Sequence, residues 1–212
     1  MTKTIEKISI VMTVHDEAEA LEKNLPLFLT QQGKRAVEVI VVDDDSTDDT
    51  PDVLKRMKAT YPNLYTTFIP QSPPNPWRRR LALTIGAKAA KGDWIVLADI
   101  ERPPRSEASV EDMADAAENG YGEVVMAYSG RKNSDSTVRY QLWDDTDDAC
   151  ARLRKAERRG GNGHRGRWLK KCRGVYDAVA VPREHVHQAL RYFDERIRGL
   201  QLLALRIKVL LH

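Results

Sequence analysis

Apolar and polar positions alternate along this chain in two rhythms. Residues 8–12, 38–42, 64–69 and 95–98 are short runs rich in Ile, Val, Leu and aromatic side chains, as strands show when helices cover both sheet faces. The intervening segments carry helical spacing. Leu21, Leu25, Phe28 and Leu29 place one apolar stripe over residues 18–31, with Pro26 predicting a kink or a late start. A second helix is predicted over residues 51–60, with Thr50 as N-cap and Pro51 at the favoured first position. A third spans residues 77–90 and is closed by Gly92. Such alternation predicts an α/β fold: a mainly parallel, doubly wound sheet with right-handed crossovers and helices on both faces.

The pattern beyond residue 104 is less regular. It predicts a helix at 110–119, strands at 123–128 and 138–143, a charged helix at 146–159 and a break at Gly160, Gly161 and Gly163. A strand at 175–181, a helix at 183–192 and an amphipathic segment at 200–211 follow. No internal repeat is present.

Composition narrows the class without naming a function. With 212 residues, 42% of them hydrophobic and 31% charged, the chain fits a single globular domain spanning residues 1–212. Residues 1–7 are polar and the first apolar run ends at His15-Asp16-Glu17, which predicts no signal peptide and a cytoplasmic location. Segment 200–211 is too short to span a bilayer. Cys150 and Cys172 match no metal spacing, so reduced, inert thiols are expected. The net charge of +3 is unevenly distributed: residues 1–130 hold 15 Lys and Arg against 21 Asp and Glu, residues 131–212 hold 19 against 10. Two halves with different tasks are implied.

The candidate chemistry falls where the predicted strands end. Thr13 to Glu17 follow the first strand, Asp43 to Thr50 the second, and Asp99-Ile100-Glu101 the fourth, where Pro103-Pro104 stops further regular structure. Ligands of parallel sheets collect at carboxyl strand ends, so the shared position says more than any one cluster. An acid-x-acid pair suits Mg²⁺ or Mn²⁺, hard ions that take one or two carboxylates and complete their shell with substrate phosphates and water. Taken alone, two acids at a strand end are ordinary surface residues.

The segments Ile8-Ser9-Ile10-Val11-Met12-Thr13-Val14-His15-Asp16-Glu17, Val41-Val42-Asp43-Asp44-Asp45-Ser46-Thr47-Asp48-Asp49-Thr50 and Gly86 to Glu101 together resemble family 2 glycosyltransferases of the GT-A fold, bacterial type, in both order and spacing. The likeness is strong over residues 8–104 and weak beyond, where Tyr176 to Glu184 and Phe193-Asp194-Glu195 carry it. The resemblance implies transfer of a sugar from a nucleotide-sugar donor, UDP- or GDP-linked, to a hydroxyl acceptor in cell-surface polysaccharide or glycolipid synthesis, inverting and metal dependent. It further implies that Thr13, Val14 and Glu17 line the nucleoside pocket, that Asp44 or Asp43 accepts a hydrogen bond from the base, and that Asp99 and Glu101 hold the metal. Residues 1–130 would then form the nucleotide-sugar-binding half and residues 131–212 the basic acceptor side.

Several positions depart from the family pattern. Asp45 stands where the Asp-Asp-Gly-Ser turn has glycine, and Leu83-Thr84 replace an Arg-Asn pair. Arg78, Arg79 and above all Arg80 lie about one turn earlier and could meet the diphosphate. Glu101 replaces a second aspartate. The acceptor-deprotonating base is unresolved among Asp144, Asp145, Asp177, Asp194 and Glu195, since the stretch after Phe193-Asp194-Glu195 lacks the expected acid. His164-Arg165-Gly166-Arg167-Trp168 is similar to the Gln-x-x-Arg-Trp motif of processive relatives and sits on the acceptor side, although it precedes the Phe-Asp-Glu stretch instead of following it.

Three other readings compete. A nucleotidyltransferase would show a glycine-rich, lysine-bearing loop after the first strand, and none is present. A nucleic-acid-binding module would interleave aromatics with the cations of residues 152–173, near which only Trp168 and Tyr176 stand, so nucleic acid is not the expected partner. A sugar-nucleotide-binding pseudoenzyme fits the missing acid. The basic half and the amphipathic segment with Leu200, Leu203, Leu205, Val209 and Leu210 predict a lipid-linked acceptor and peripheral contact with an anionic membrane; core closure by the same leucines is the competing expectation.

Overall fold

The computed structural model describes residues 4–70, 78–120, 124–129, 138–143, 178–187 and 190. Among them the chain alternates β1 (Lys7–Val14), α1 (Ala18–Leu29), β2 (Ala36–Asp43), α2 (Thr50–Thr60), β3 (Leu64–Phe68), α3 (Arg78–Ala89) and β4 (Trp94–Ala98). Then come α4 (Ser109–Gly120), β5 (Val124–Ser129), β6 (Val138–Trp143), β7 (Ala178–Pro182) and a 3₁₀ turn at Arg183–His185. The predicted helices at 146–159 and 200–211 and the glycine break at 160–163 lie outside the described residues.

One seven-stranded sheet has the order β3-β2-β1-β4-β7-β5-β6. The first four strands pair in parallel; β7 runs antiparallel to β4 and to β5, and β5 antiparallel to β6. The sheet is therefore parallel on the side built first and mixed on the other. Strand order reverses between β1 and β4, and a crevice opens at such a point above the carboxyl strand ends.

Side chains of the parallel strands alternate between two cores. Ile8, Ile10, Met12, Val39, Val41 and Val96 pack with α1, α2 and α4 on one face. Val11, Ile40, Val42, Ile95 and Leu97 pack with α3 on the other. Both faces are covered, which explains why these strands read as continuous apolar runs. Gly86 permits the close seat of α3: a Cβ there would stand 2.5 Å from a methyl of Val11.

Three local expectations resolve differently in detail: Thr50 is the first residue of α2 and Asp49 its N-cap, without a side-chain cap bond. Pro26 sits inside an unbroken α1, near its end, and its carbonyl accepts the Thr30 amide at 2.9 Å. Gly92 follows α3, but its φ is not positive, so it is not a left-handed helix cap. A side chain there would collide with the Ser9 backbone at 2.7 Å, and its amide donates to Ser9 Oγ at 2.8 Å. Close approach of backbone, not helix termination, requires this glycine.

Candidate functional site

β1 and β2 end in register, Val14 opposite Asp43, so the loops that follow them meet. Asp44 N–H donates to the Val14 carbonyl at 2.8 Å, extending the pairing by one residue, and His15 Nδ1 lies 2.8 Å from the Asp44 carbonyl, which requires that nitrogen to be the donor. Asp16 then turns into the left-handed region at φ 52°. Its Oδ1 accepts the Thr47 amide at 2.6 Å and the Asp48 amide at 3.3 Å, while its own amide donates to Ser46 Oγ at 3.0 Å. The two loops are thereby sewn together reciprocally.

The same joint reaches the first turn of α1, whose leading amides lack helical partners. Glu17 N–H donates to Thr50 Oγ1 at 3.0 Å, and Ala18 N–H to Asp48 Oδ2 at 3.1 Å. The Thr47 amide foremost holds the Asp16 carboxyl below the usual carboxylate range. Desolvation pushes Asp48 upward, but hydrogen bonds from Thr50 and Ala18 outweigh it and the net shift is down. These two aspartates stay ionised because backbone amides favour the charged form.

Asp43 and Asp44 play different parts. Asp43 is buried at 7% exposure and its Oδ1 accepts the Ser46 amide at 3.0 Å, shaping the turn from within. Asp44 is half-buried, on the opposite side of the strand end. Asp45 has φ 61°, a left-handed backbone in which glycine is least strained and Asp or Asn is the next best tolerated. Aspartate thus adopts here the left-handed backbone that a glycine would favour.

On the far side of the crevice β4 ends at Ala98, and Asp99-Ile100-Glu101 forms a tight turn. Asp99 Oδ1 accepts the Glu101 amide at 3.0 Å, and the Asp99 carbonyl accepts the Arg102 amide at 2.9 Å. Ile100 is fully buried among α1 and α4, whereas Asp99 is half-buried and Glu101 exposed. A buried residue between two acids drives the acids outward. Arg80 lies in the first turn of α3, where the helix dipole adds positive potential to the guanidinium.

The structure thus gathers Thr13, Val14, Glu17, Asp43, Asp44, Asp99 and Glu101 at the carboxyl ends of three neighbouring strands, with Arg80 opening the adjacent helix. Val14 turns its carbonyl to the Asp44 amide, and its side chain, 1% exposed, belongs to the core. Asp144, Asp145, Asp177, Asp194 and Glu195, and His164, Arg165, Arg167 and Trp168, lie outside the described residues. Sequence reasoning placed His15, Asp16, Ser46 and Asp48 in the polar clusters without giving them a task; their complementary spacing around two strand ends was the available signal.

Among the described residues no group of three or more His, Cys, Asp or Glu could hold a metal, and no helix is long and apolar enough to cross a membrane. Asp99 and Glu101 form a pair of hard oxygen donors on one turn, which fits an ion that relies on substrate phosphates for its remaining ligands.

Comparison with known proteins agrees with this geometry. An undecaprenyl-phosphate 4-deoxy-4-formamido-L-arabinose transferase of Pseudomonas syringae is 27% identical over 134 residues, covering 61% of this chain and 38% of the relative. The chain therefore spans well under half of that relative's length. Among solved structures, a mannosyltransferase from Pyrobaculum calidifontis in complex with GDP-Man and Mn²⁺ matches with TM-score 0.54 at 21% identity, over 89% of this chain and 47% of its own. Glucosyl-3-phosphoglycerate synthase of M. tuberculosis matches with TM-score 0.50 at 18% identity, over 84% of this chain and 58% of its own. Both share the GT-A architecture of a mainly parallel α/β sheet. The Glycosyl transferase family 2 pattern itself matches residues 9–164, from within β1 past β6, and the chain belongs to that family.

Proposed function

We propose that this chain transfers a sugar from a nucleotide-sugar donor to a hydroxyl acceptor, with inversion at the anomeric carbon and with a divalent cation, Mg²⁺ or Mn²⁺. The observation that carries this reading is the placement of Asp99 and Glu101 across the strand-order reversal from the interlocked loops of β1 and β2. That crevice offers a hydrogen-bonding wall on one side and paired carboxylates on the other. Asp44, Thr13, Glu17 and the Val14 backbone line the nucleoside side; Asp43, tied to the Ser46 amide, supports Asp44 from beneath. Asp99 and Glu101 hold the cation, and Arg80 adds positive charge beside the diphosphate.

In the transfer, the acceptor oxygen forms a bond to the anomeric carbon as the bond from that carbon to the diphosphate oxygen breaks. The diphosphate leaves with the electron pair, and the acceptor proton passes to one of the acids Asp144, Asp145, Asp177, Asp194 or Glu195. A divalent cation supplies Lewis-acid stabilisation of the leaving diphosphate. The Pseudomonas relative's name supports a lipid-linked acceptor, and the net charge of +9 over residues 131–212 suits attraction to an anionic membrane surface.

Thermal unfolding with a panel of UDP- and GDP-sugars, with and without Mn²⁺, tests the reading. A ligand at 100 times its dissociation constant stabilises the folded state by about 2.7 kcal/mol. One nucleotide class should raise the midpoint, and Mn²⁺ should enlarge the rise. No response to any donor would overturn the assignment; binding with no transfer to any acceptor would leave a sugar-nucleotide-binding pseudoenzyme.

A further inference from the structure

Helix α1 touches both walls of the crevice. The amides that lead into it are held by Asp48 of the β2 loop and by Thr50, which opens α2, and between one and two turns further on Asn24 Nδ2 donates to the Ile100 carbonyl at 2.9 Å. The amide orientation follows from chemistry, because a backbone carbonyl needs a donor and only the NH₂ of asparagine supplies one. Six residues of helix separate Ala18 from Asn24, about 9 Å along the axis. That length carries α1 from the nucleoside loop to the acid-x-acid turn.

Ile100 is where that turn is fixed. Its side chain is fully buried against the core and its carbonyl is claimed by Asn24, so the peptide between Asp99 and Glu101 is held on two sides. The acids on either side inherit this placement. The amide of Glu101 is already committed to Asp99 Oδ1. A rotation of the Ile100 peptide would break that bond and move both carboxylates together.

We propose that Asn24 is a positioning residue for the acid pair: through the Ile100 carbonyl it sets Asp99 and Glu101 at a fixed place relative to the nucleoside loops, with α1 as the rigid strut between them. This rests on the reading of Asp99 and Glu101 as the cation-holding pair. A site held to within a fraction of an ångström loses function when its supporting hydrogen bond is removed, even though no contacting group has changed. Simple satisfaction of a partly buried carbonyl, with no consequence for the acids, is the opposing account.

The test measures UDP and GDP affinity in EDTA and across a Mn²⁺ titration, with protein-bound Mn²⁺ followed by electron paramagnetic resonance. Asn24→Leu keeps the size and removes the donor. It should raise the half-saturating Mn²⁺ concentration by about threefold to tenfold, the scale of one hydrogen bond, while affinity in EDTA stays within about twofold. Asn24→His, whose Nδ1–H can reach the same carbonyl, should restore most of the Mn²⁺ affinity. Asn24→Ala, which also lacks the donor, provides the same comparison should the leucine variant be insoluble. Unchanged Mn²⁺ affinity in these donor-lacking variants, while Asp99→Ala abolishes it, would overturn the inference and leave the metal reading standing. Equal losses with and without Mn²⁺ would make Asn24 a general structural residue and also overturn it. If Mn²⁺ changes no nucleotide affinity in the unaltered protein, the metal reading fails first and the inference with it.

Discussion

The two ends of the parallel sheet handle their acids in different proportions. At the amino end, cations answer carboxylates alongside backbone amides, which also hold Asp93 and Glu118. Glu38 Oε2 meets Lys7 Nζ at 2.6 Å while its Oε1 accepts from Ser9 Oγ at 2.6 Å and from the Lys91 amide at 2.7 Å. Arg35, 9% exposed, contacts Glu111 and Asp115 at 2.7 Å and Glu118 at 2.8 Å, tying α4 to the approach to β2. At the carboxyl end, Asp16, Asp43 and Asp48 are held by backbone amides. An ion pair cancels charge, whereas an amide orients a carboxylate and leaves its charge in place. The amino end is consequently built for cohesion, and the carboxyl end keeps negative charge of the sign that attracts a cation.

The largest effect is expected where that charge is concentrated. Asp99→Ala or Glu101→Ala should abolish the Mn²⁺-dependent part of nucleotide-sugar binding, measured by calorimetry, with the unfolding midpoint changed little for the exposed Glu101 and lowered modestly for Asp99, whose Oδ1 holds the Glu101 amide. Retained Mn²⁺-dependent binding would erase the contrast between the two ends. Asp44→Ala should weaken free nucleoside diphosphate and nucleotide sugar alike, by about tenfold for one charge-assisted hydrogen bond. A change confined to turnover would remove Asp44 from the nucleoside wall.

The amino end predicts the reverse signature. Arg35→Met leaves Glu111, Asp115 and Glu118 to repel one another in a partly buried setting, and should lower unfolding stability by about 2 kcal/mol; fully buried pairs lose 3–5 kcal/mol, but Asp115 is 54% exposed. Nucleotide affinity should be unaltered. Urea unfolding and nucleotide titration on the same variant check both statements.

Much of this arrangement was legible because it is local. The runs at Ile8, Val39 and Ile95 announced strands, and strand direction alone puts the acids at their ends on one edge, where the candidate site lies. What could not be read is pairwise and distant. Arg35 finds its acids 76 to 83 positions away, and Asn24 meets Ile100 across 76, so no window of sequence contains either contact. Strand direction beyond β4 was equally hidden, because an apolar run such as Ala178–Pro182 fits a parallel or an antiparallel neighbour. Val14 shows a finer limit: membership in a polar cluster did not reveal that its side chain points into the core.

Acid titration distinguishes the ends less sharply. Partial burial pushes Glu38 upward, but Lys7, Ser9 and the Lys91 amide outweigh it and hold its carboxyl below 4.5, the ordinary value. A folded-state pKa depressed in this way contributes stability that is complete above the unfolded value and is lost as pH falls through the folded one. Stability should therefore decline as pH drops below about 4.5, and Glu38→Gln should flatten part of that decline. Asp16 and Asp48, also shifted down, add to the same limb, so the glutamine variant retains a residual acid dependence. A flat profile in that variant would mean that amide-held aspartates at the carboxyl end contribute nothing to folding.

The smallest effect concerns Asp45. Its φ of 61° is a backbone state in which most L-residues are strained, so the turn after β2 is held open by a residue that tolerates it less well than glycine. Asp45→Gly removes the strain but widens the unfolded ensemble, and the two terms oppose each other, leaving a net change within about 1 kcal/mol of zero. Asp45→Ala keeps the strain and loses the local hydrogen-bonding capacity that lets aspartate adopt this region, and should be less stable than Asp45→Gly by about 1 kcal/mol. Nucleoside diphosphate affinity should follow the same order, because the turn that carries Asp45 also presents Asp44. If the alanine and glycine variants are equally stable and bind equally, the left-handed turn does not set the carboxyl-end geometry, and the sewing of Asp16 to Thr47 and Asp48 must hold those loops unaided.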